Sequence, residues 1–483
     1  MILHTRLVKV VILAALTSVL LGNGCTTDYV TGKRTFSLVS ESQEIAMGKE
    51  ADPQIVAEYG LYKNQKLASY VDDLGQSLAK KSHRPQLEYT FRVLDSPVVN
   101  AFALPGGYVY VTRGILAHFN SEDELAGVLG HEIGHVTARH SAEQISRAQL
   151  AGLGLGLGSL ISEEFRKFAD VAGAGLGLLF LKFSREQESE SDVLGVEYSS
   201  KLGYDAHKMA GFFRTLKGMR DEGGQGLPSF LSTHPDPGDR EVRVHQLADD
   251  WQSKALYRPL KREKYHYVQK INGIVYGDDP QQGYFENQTF YHPKLRFKFP
   301  VPANWTPVNT PARVQMTPPD KKAAIQLTLG KSANPQQEAD DFAAKNEATV
   351  KRRVSTTVHG FPATVLQTSV MDGDKELRVL SYFILKDQKV YIFHGFTTAE
   401  LYGDYFPVFT QVMSGFDELQ DHAALNKKPS VLRIEQAPKS GDLATVLGAL
   451  GVDQDMWLEL ALLNGMTLSD RVQKGEWVKI VKN

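Results

Sequence analysis

The stretch "LGHEIGHVTARH" (Leu129–His140) decides how the rest of this 483-residue sequence is read. His131 and His135 are four residues apart. On an α-helix that is about 400° of rotation, so both imidazoles leave one face a turn apart. The spacing suits chelation of one zinc ion, and Glu132 projects beside the pair as a general base for an attacking water. The alternative is the polar face of an ordinary helix. Context favours metal chemistry. Ser121 and Glu124 in "SEDE" have the spacing of a capping box, Leu125, Val128, Leu129 and Val136 supply a buried stripe, and Gly134 lets another element approach closely.

Zinc needs a third protein ligand. On a continuous helix His140 lies about 140° round the axis from His135, so it is expected at the surface. The acidic run "SREQESESD" (Ser184–Asp192) offers better donors. Glu188 and Asp192 are i and i+4 on one face, so one can bind metal while the other orients a ligand imidazole through its second nitrogen. The competing reading is a solvated acidic face. "STHPDPGDR" (Ser232–Arg240) sets His234 before a Pro-rich loop and Arg240 after it. His234 either caps the metal or binds an oxyanion, and Arg240 hydrogen-bonds the loop or the transition state. Upstream, "NAFALPGGYVYVTRG" (Asn100–Gly114) reads as two short strands around a Pro105-Gly106-Gly107 turn.

These four motifs, in this order over about residues 25–250, resemble the HtpX and CAAX prenyl protease family of zinc metalloproteases. In particular they are similar to its soluble periplasmic lipoprotein branch, whose mature N-termini resemble "CTTDYVTGKRTFSLVSESQEIAMGKEA" (Cys25–Ala51). The resemblance implies a mostly helical zincin core of the gluzincin type with a small antiparallel sheet. It implies His131, His135 and Glu188 as ligands of one Zn2+ per chain, Glu132 as the catalytic base and Asp192 as the aspartate behind a ligand. His234 and Arg240 fall on the family's loop histidine and arginine; in some relatives that histidine fills the fourth metal site and keeps the enzyme latent. Asn100, Ala101, Phe102 and Ala103 fall on the stretch beside the site, where an edge strand binds an extended substrate by β-augmentation. The function implied is a metalloendopeptidase that hydrolyses misfolded or misassembled envelope proteins, with the outer-membrane assembly machinery as a partner. The alternative is a latent chaperone or scaffold tethered to the cell wall.

The remaining sequence bounds this picture. A net charge of -2 gives no global field for nucleic acid or an anionic surface, and a single cysteine, Cys25, excludes an intrachain disulfide. His4, Arg6 and Lys9 precede an apolar run, Val10–Leu21, that is too short for a comfortable span. The layout resembles a lipoprotein signal (1–24) with Cys25 as the lipidated residue, although Gly22 stands where such signals usually carry Leu. An uncleaved anchor and a plain signal peptide are the other readings. All of them put the body outside the cytoplasm, and the first puts it in the periplasm, lipid-anchored to the outer membrane.

The chain is long enough for several domains. "SLVSESQEIAMGKEA" opens a helix capped by Ser40 and Gln43 and limited by Pro53. "NQKLASYVDDLGQSLAKK" is an amphipathic helix, and "EYTFRVLDS" a half-buried strand. The Gly-rich runs between 151 and 181 read as buried or interfacial helices, or as a hairpin dipping into a bilayer. After the metalloprotease domain (25–250) the texture turns β-rich. Residues 285–420 are expected to form an α+β accessory domain, weakly similar to PsbP/Mog-like folds. Residues 430–483 are expected to form a small βααβ module, weakly similar to LysM and hence to a peptidoglycan binder. The fold class is therefore α+β multidomain.

Overall fold

The computed structural model describes residues 25–152, 178, 181–221, 230, 234, 237–254, 256–261, 265–372 and 375–482. The signal segment and most of the Gly-rich stretch 151–181, with its bilayer-hairpin alternative, lie outside the described residues. Among the described residues no helix is long and apolar enough to cross a membrane. The chain divides into two compact units. The first holds residues up to 56, 60–276 and 431–482; the second holds 277–430 together with Ala57–Tyr59.

Unit 1 begins with a short antiparallel ribbon, β1 (Cys25–Thr27) and β2 (Arg34–Phe36). α1 (Glu41–Tyr59) starts in a full capping box between Ser40 and Gln43. It does not stop at Pro53 as the sequence suggested. Tertiary contacts carry it past the lost backbone hydrogen bond: Asp52 accepts from Arg92 and from the Tyr110 hydroxyl, and Ile55 is fully buried. α2 (Gln65–Ala79) buries Leu67, Val71, Leu74 and Leu78, the stripe its periodicity predicts.

A three-stranded sheet follows: β3 (Thr90–Leu94), β4 (Ala101–Leu104) and β5 (Tyr108–Thr112), in the order β3-β5-β4. β4 and β5 form the expected antiparallel hairpin, with Gly106 at φ 79 and Gly107 at φ 95 in its turn. The sheet is mixed, however, because β3 runs parallel to β5. The alternation in "EYTFRVLDS" fixes which side chains are buried; it carries no information on which strand lies beside it or in which direction. The consequence for function is that β4 is left at the edge.

Next come α3 (Arg113–His118), α4 (Glu122–Thr137), α5 (His140–Gly152), α6 (Arg185–Lys201), α7 (His207–Asp221) and α8 (Pro237–Gln252). Ser121 caps α4 by accepting from Glu124 N, but the return bond of a capping box is absent: Glu124 Oε2 accepts from Asn120 N instead. α4 is buried almost from end to end. Leu125, Leu129 and Ile133 share a core with Leu74 of α2 and with Phe212 and Phe213 of α7.

Residues 431–482 complete this same core. Strands Val431–Gln436 and Trp477–Lys482 pair antiparallel around helices Leu443–Ala449 and Trp457–Leu463, the order the sequence suggested. Leu432, Ile434, Leu460 and Ile480 join the cluster built on α4. Lys479 is buried and donates to Ala117 O at 2.9 Å and to Phe119 O at 3.1 Å, at the end of α3. The segment is therefore part of the first unit, and compactness breaks at 276 and 431, not at 250.

His118 gives unit 1 a pH signature. Burial pushes its pKa down to about 4, although its ring Nδ1 lies 2.8 Å from Gly114 O, and Lys479 adds to the depression. The imidazole is neutral in the fold and takes up a proton near pH 6.5 in the unfolded chain. Its contribution is therefore complete above pH 6.5 and is lost as pH falls toward 4. Between pH 8 and pH 5 the metal-free protein should lose about 2 kcal/mol more unfolding free energy than its His118→Gln variant. Urea titrations at the two pH values measure the difference.

Unit 2 is α+β. Its described residues form a seven-stranded antiparallel sheet in the spatial order Thr349–Val358, Phe361–Asp372, Lys375–Lys386, Lys389–Thr398, Ala323–Leu329, Val314–Thr317, Thr306–Asn309. Helix Pro335–Lys345 packs Ala339 and Phe342 against Leu366 and Phe383. Helix Tyr402–Ser414 packs Phe409, Val412 and Met413 against Leu380 and Phe393.

Candidate metal centre

The crossing of α4 and α6 builds the centre. A Cβ on Gly134 would lie 3.2 Å from Ser191 Cα, and one on Gly195 would lie 2.9 Å from His131 N. Only glycines at these two positions let the helices approach so closely. The approach carries Glu188 and Asp192, one turn apart on α6, onto the two histidines of α4.

Four ligand atoms converge there, from His131, His135, Glu188 and His234, all buried and all within 4.8 Å of one another. His131 Nε2 is 3.1 Å from His135 Nε2 and 3.3 Å from His234 Nδ1. Glu188 Oε1 is 2.9 Å from His234 Nδ1 and 3.4 Å from His135 Nε2. A tetrahedral ion with bonds of about 2.0–2.1 Å sets its ligands about 3.3 Å apart. The spacing and the donor set, three imidazoles and a carboxylate, therefore fit zinc.

Protonation agrees with this fit. Burial drives the His135 pKa well below its usual value, so the ring is neutral and has a lone pair to give. Burial opposes ionisation of Glu188, but His234 and Arg240 outweigh it and hold the carboxyl well below its normal range. Burial pushes Glu132 up, partly offset by His234 and His131. Glu132 is fully buried, both of its oxygens lack a hydrogen-bond partner among the described residues, and His234 Nε2 lies 3.6 Å from Oε1. A desolvated carboxylate with nothing bound to it beside a metal set is placed to take a proton from water.

Asp192 orients His131, 3.0 Å from its Nδ1. Burial opposes its ionisation, and Arg240 with His131 overcomes that and holds it well below the usual carboxylate range. Among the described residues, the guanidinium of Arg240 faces the two carboxylates of α6. It grips Asp192 through Nε (3.0 Å) and a terminal nitrogen (2.7 Å), and pairs with Glu188 Oε2 at 3.0 Å. It is a brace for the ligand set.

Sequence reasoning missed three partners. Arg243, one turn after Arg240 on α8, also binds Asp192; the i, i+3 spacing was the available signal. Phe183 stacks on His135 at 4.0 Å between centroids, and Phe230 stacks on His234 at 4.5 Å. His140 was expected at the surface and is buried, with Nδ1 3.0 Å from His135 Nδ1. α4 ends at Thr137 and Arg139 takes a left-handed φ of 59, so the helical angle that seemed to turn His140 away does not apply. Asn100 to Ala103 lie at the start of the edge strand β4, and Phe230 N donates to Val99 O just before it. His234 N in turn donates to Phe230 O at 2.7 Å.

The Peptidase family M48 profile matches residues 65–248, the stretch that holds every residue of this centre. The mitochondrial metalloendopeptidase OMA1 of Schizosaccharomyces pombe is 30% identical over 247 residues, 49% of this chain and 69% of that protein. The chain belongs to peptidase family M48. The putative beta-barrel assembly-enhancing protease of Vibrio cholerae is 34% identical over 203 residues, 40% of each chain. The beta-barrel assembly-enhancing protease of Escherichia coli K12 is 29% identical over 227 residues, 45% of this M48 chain and 46% of its own. The chain thus spans less than half the length of these two bacterial relatives. Among solved structures, cyanobacterial PsbP from Synechocystis matches at a TM-score of 0.25 and 15% identity, over 27% of this chain and 91% of that one.

Proposed function

We propose that this M48 chain is a zinc endopeptidase of the bacterial envelope that cleaves misfolded or misassembled envelope proteins. The observation that carries the reading is the convergence of His131, His135 and Glu188 beside a buried Glu132 that has no hydrogen-bond partner among the described residues. When bound, zinc acidifies water and polarises the scissile carbonyl. Glu132 takes the proton of the attacking water and delivers it to the leaving amine. Asp192 and Arg240 hold His131 and Glu188 in place. The position of β4 at the end of the strand order suits an extended backbone, which favours unfolded chains and makes side-chain selection broad.

The envelope setting is supported by the lipoprotein-like start with Cys25 as anchor, by the likeness to the soluble lipoprotein branch, and by relatives named for beta-barrel assembly. Outer-membrane location, and assembly-machinery partners, rest on the same support. Residues 430–483 give one apolar face to the core of unit 1 and depart from the LysM pattern at "GDLA"; peptidoglycan binding in the scaffold alternative would use their outer face.

His234 favours a second reading, a latent form. Its Nδ1 takes the fourth vertex, where water or substrate would enter. A centre filled by His234 is active only in the fraction of molecules in which that side chain has left. His234→Ala should therefore raise casein cleavage by about tenfold while zinc content is unchanged. Assaying zinc and casein hydrolysis on the unaltered chain and this variant tests both readings. Zinc bound without cleavage in either protein would leave the scaffold reading and sink the protease one.

A further inference from the structure

His140 is tied to the centre by a chain of contacts that the catalytic scheme does not use. The Nε2 atom of His135 faces the other ligand atoms, 3.1 Å from His131 Nε2 and 3.4 Å from Glu188 Oε1. Its lone pair must lie on that side for it to bind metal. A neutral imidazole then carries its hydrogen on Nδ1. That Nδ1 lies 3.0 Å from His140 Nδ1, which must be the acceptor. The hydrogen of His140 is therefore on Nε2, which lies 3.3 Å from Glu190 Oε2 at the half-exposed end of the chain. Ser191 Oγ lies 3.3 Å from the same His140 Nδ1 and can share it. The two ligand imidazoles of α4 are thus oriented differently. His131 rests on a carboxylate, whereas His135 rests on a second imidazole that is itself fixed by a carboxylate.

We propose that His140 is the positioning residue of His135: as an Nε2-protonated imidazole held by Glu190, it fixes the tautomer and ring orientation that present Nε2 of His135 to the metal. Groups that orient a ligand imidazole typically contribute a factor of about 10–100 in metal affinity. The inference rests on the metal-centre reading above.

The experiment is a zinc dissociation constant for the full chain, by competition with a chromogenic chelator, on four proteins. His140→Phe keeps ring volume and removes the acceptor. His140→Asn restores an acceptor oxygen near the position of Nδ1. Glu190→Ala removes only the outer carboxylate, at a half-exposed site where folding is not at risk. The thermal midpoint of each metal-free protein is recorded beside the affinity.

His140→Phe should bind zinc about 10–100-fold more weakly than the unaltered chain, and His140→Asn within about threefold of it. Glu190→Ala should show a smaller loss in the same direction, with all metal-free midpoints alike. Unchanged affinity in His140→Phe overturns the proposal, as does equal loss in the Phe and Asn variants, which would mark a packing role. If His140→Phe does not fold, unchanged affinity in Glu190→Ala overturns it instead. Failure of the unaltered chain to bind zinc would sink the metal-centre reading, an outcome distinct from all of these.

Discussion

Glu132→Gln should keep its zinc and lose about a thousandfold or more of its casein cleavage. Glutamine has the shape of the native side chain, so the fully buried pocket around it is not disturbed. It cannot accept a proton, and Glu132 is not one of the converging ligand atoms. The two measurements therefore separate cleanly: metal analysis should still give one zinc per chain, while hydrolysis falls to background. The desolvation that pushes Glu132 up also brings its basicity closer to neutral pH, where a proton-transfer catalyst is most effective. Cleavage at the native rate by this variant would sink the protease reading, whatever the metal content.

Asp192→Ala should be the most destabilising single change at the centre. Asp192 is fully buried and holds three cations or potential cations: Arg240 by two bonds, Arg243, and the Nδ1 side of His131. Arg243 is about one-third exposed and can turn to solvent, whereas Arg240 is buried and cannot. Removing Asp192 leaves Arg240 with Glu188 as its remaining close buried counter-charge, and breaking a buried ion pair from one side costs about 3–5 kcal/mol. Urea unfolding of the metal-free chain should show that loss, and zinc affinity should fall about 10–100-fold as His131 loses its partner. A loss under about 1 kcal/mol would mean that water replaces the carboxylate, and that the arginine brace contributes little.

The pairings within each helix of the candidate site were legible because each is written in one helix. The i, i+4 spacing of His131 and His135, and again of Glu188 and Asp192, is local geometry that holds wherever the helix lies. Which of the two carboxylates faces the metal is not local. It depends on how α6 crosses α4, and the glycines at 134 and 195 that permit the crossing reveal closeness but not rotation. His140 was misjudged for a related reason. One left-handed residue, Arg139, ends the helical frame in which its direction had been reckoned. Pro53 misled in the opposite sense, since tertiary bonds through Asp52 outweigh a local breaker. The order of strands β3, β5 and β4 had no signature at all, because alternation labels faces and not neighbours. Residues 431–482 show the same limit at larger scale. Their βααβ order could be read, but their shared core could not. Lys479, a charged residue buried within an apolar strand, was the one hint of it.

That last arrangement has a bearing on how the protein comes into being. Unit 2 interrupts unit 1 in sequence, leaving it at Tyr276 and returning at Val431, and Val275 and Val431 meet in a β-bridge at the point of departure and return. During synthesis, the helix that bears His131 and His135 emerges long before the strand Trp477–Lys482, which joins the same core. Ala117 and Phe119 precede by 362 and 360 residues the Lys479 ammonium that donates to their carbonyls. In this order the core of unit 1 closes only with the last strand of the chain, and truncation at residue 430 would remove Leu432, Ile434, Leu460 and Ile480 from it.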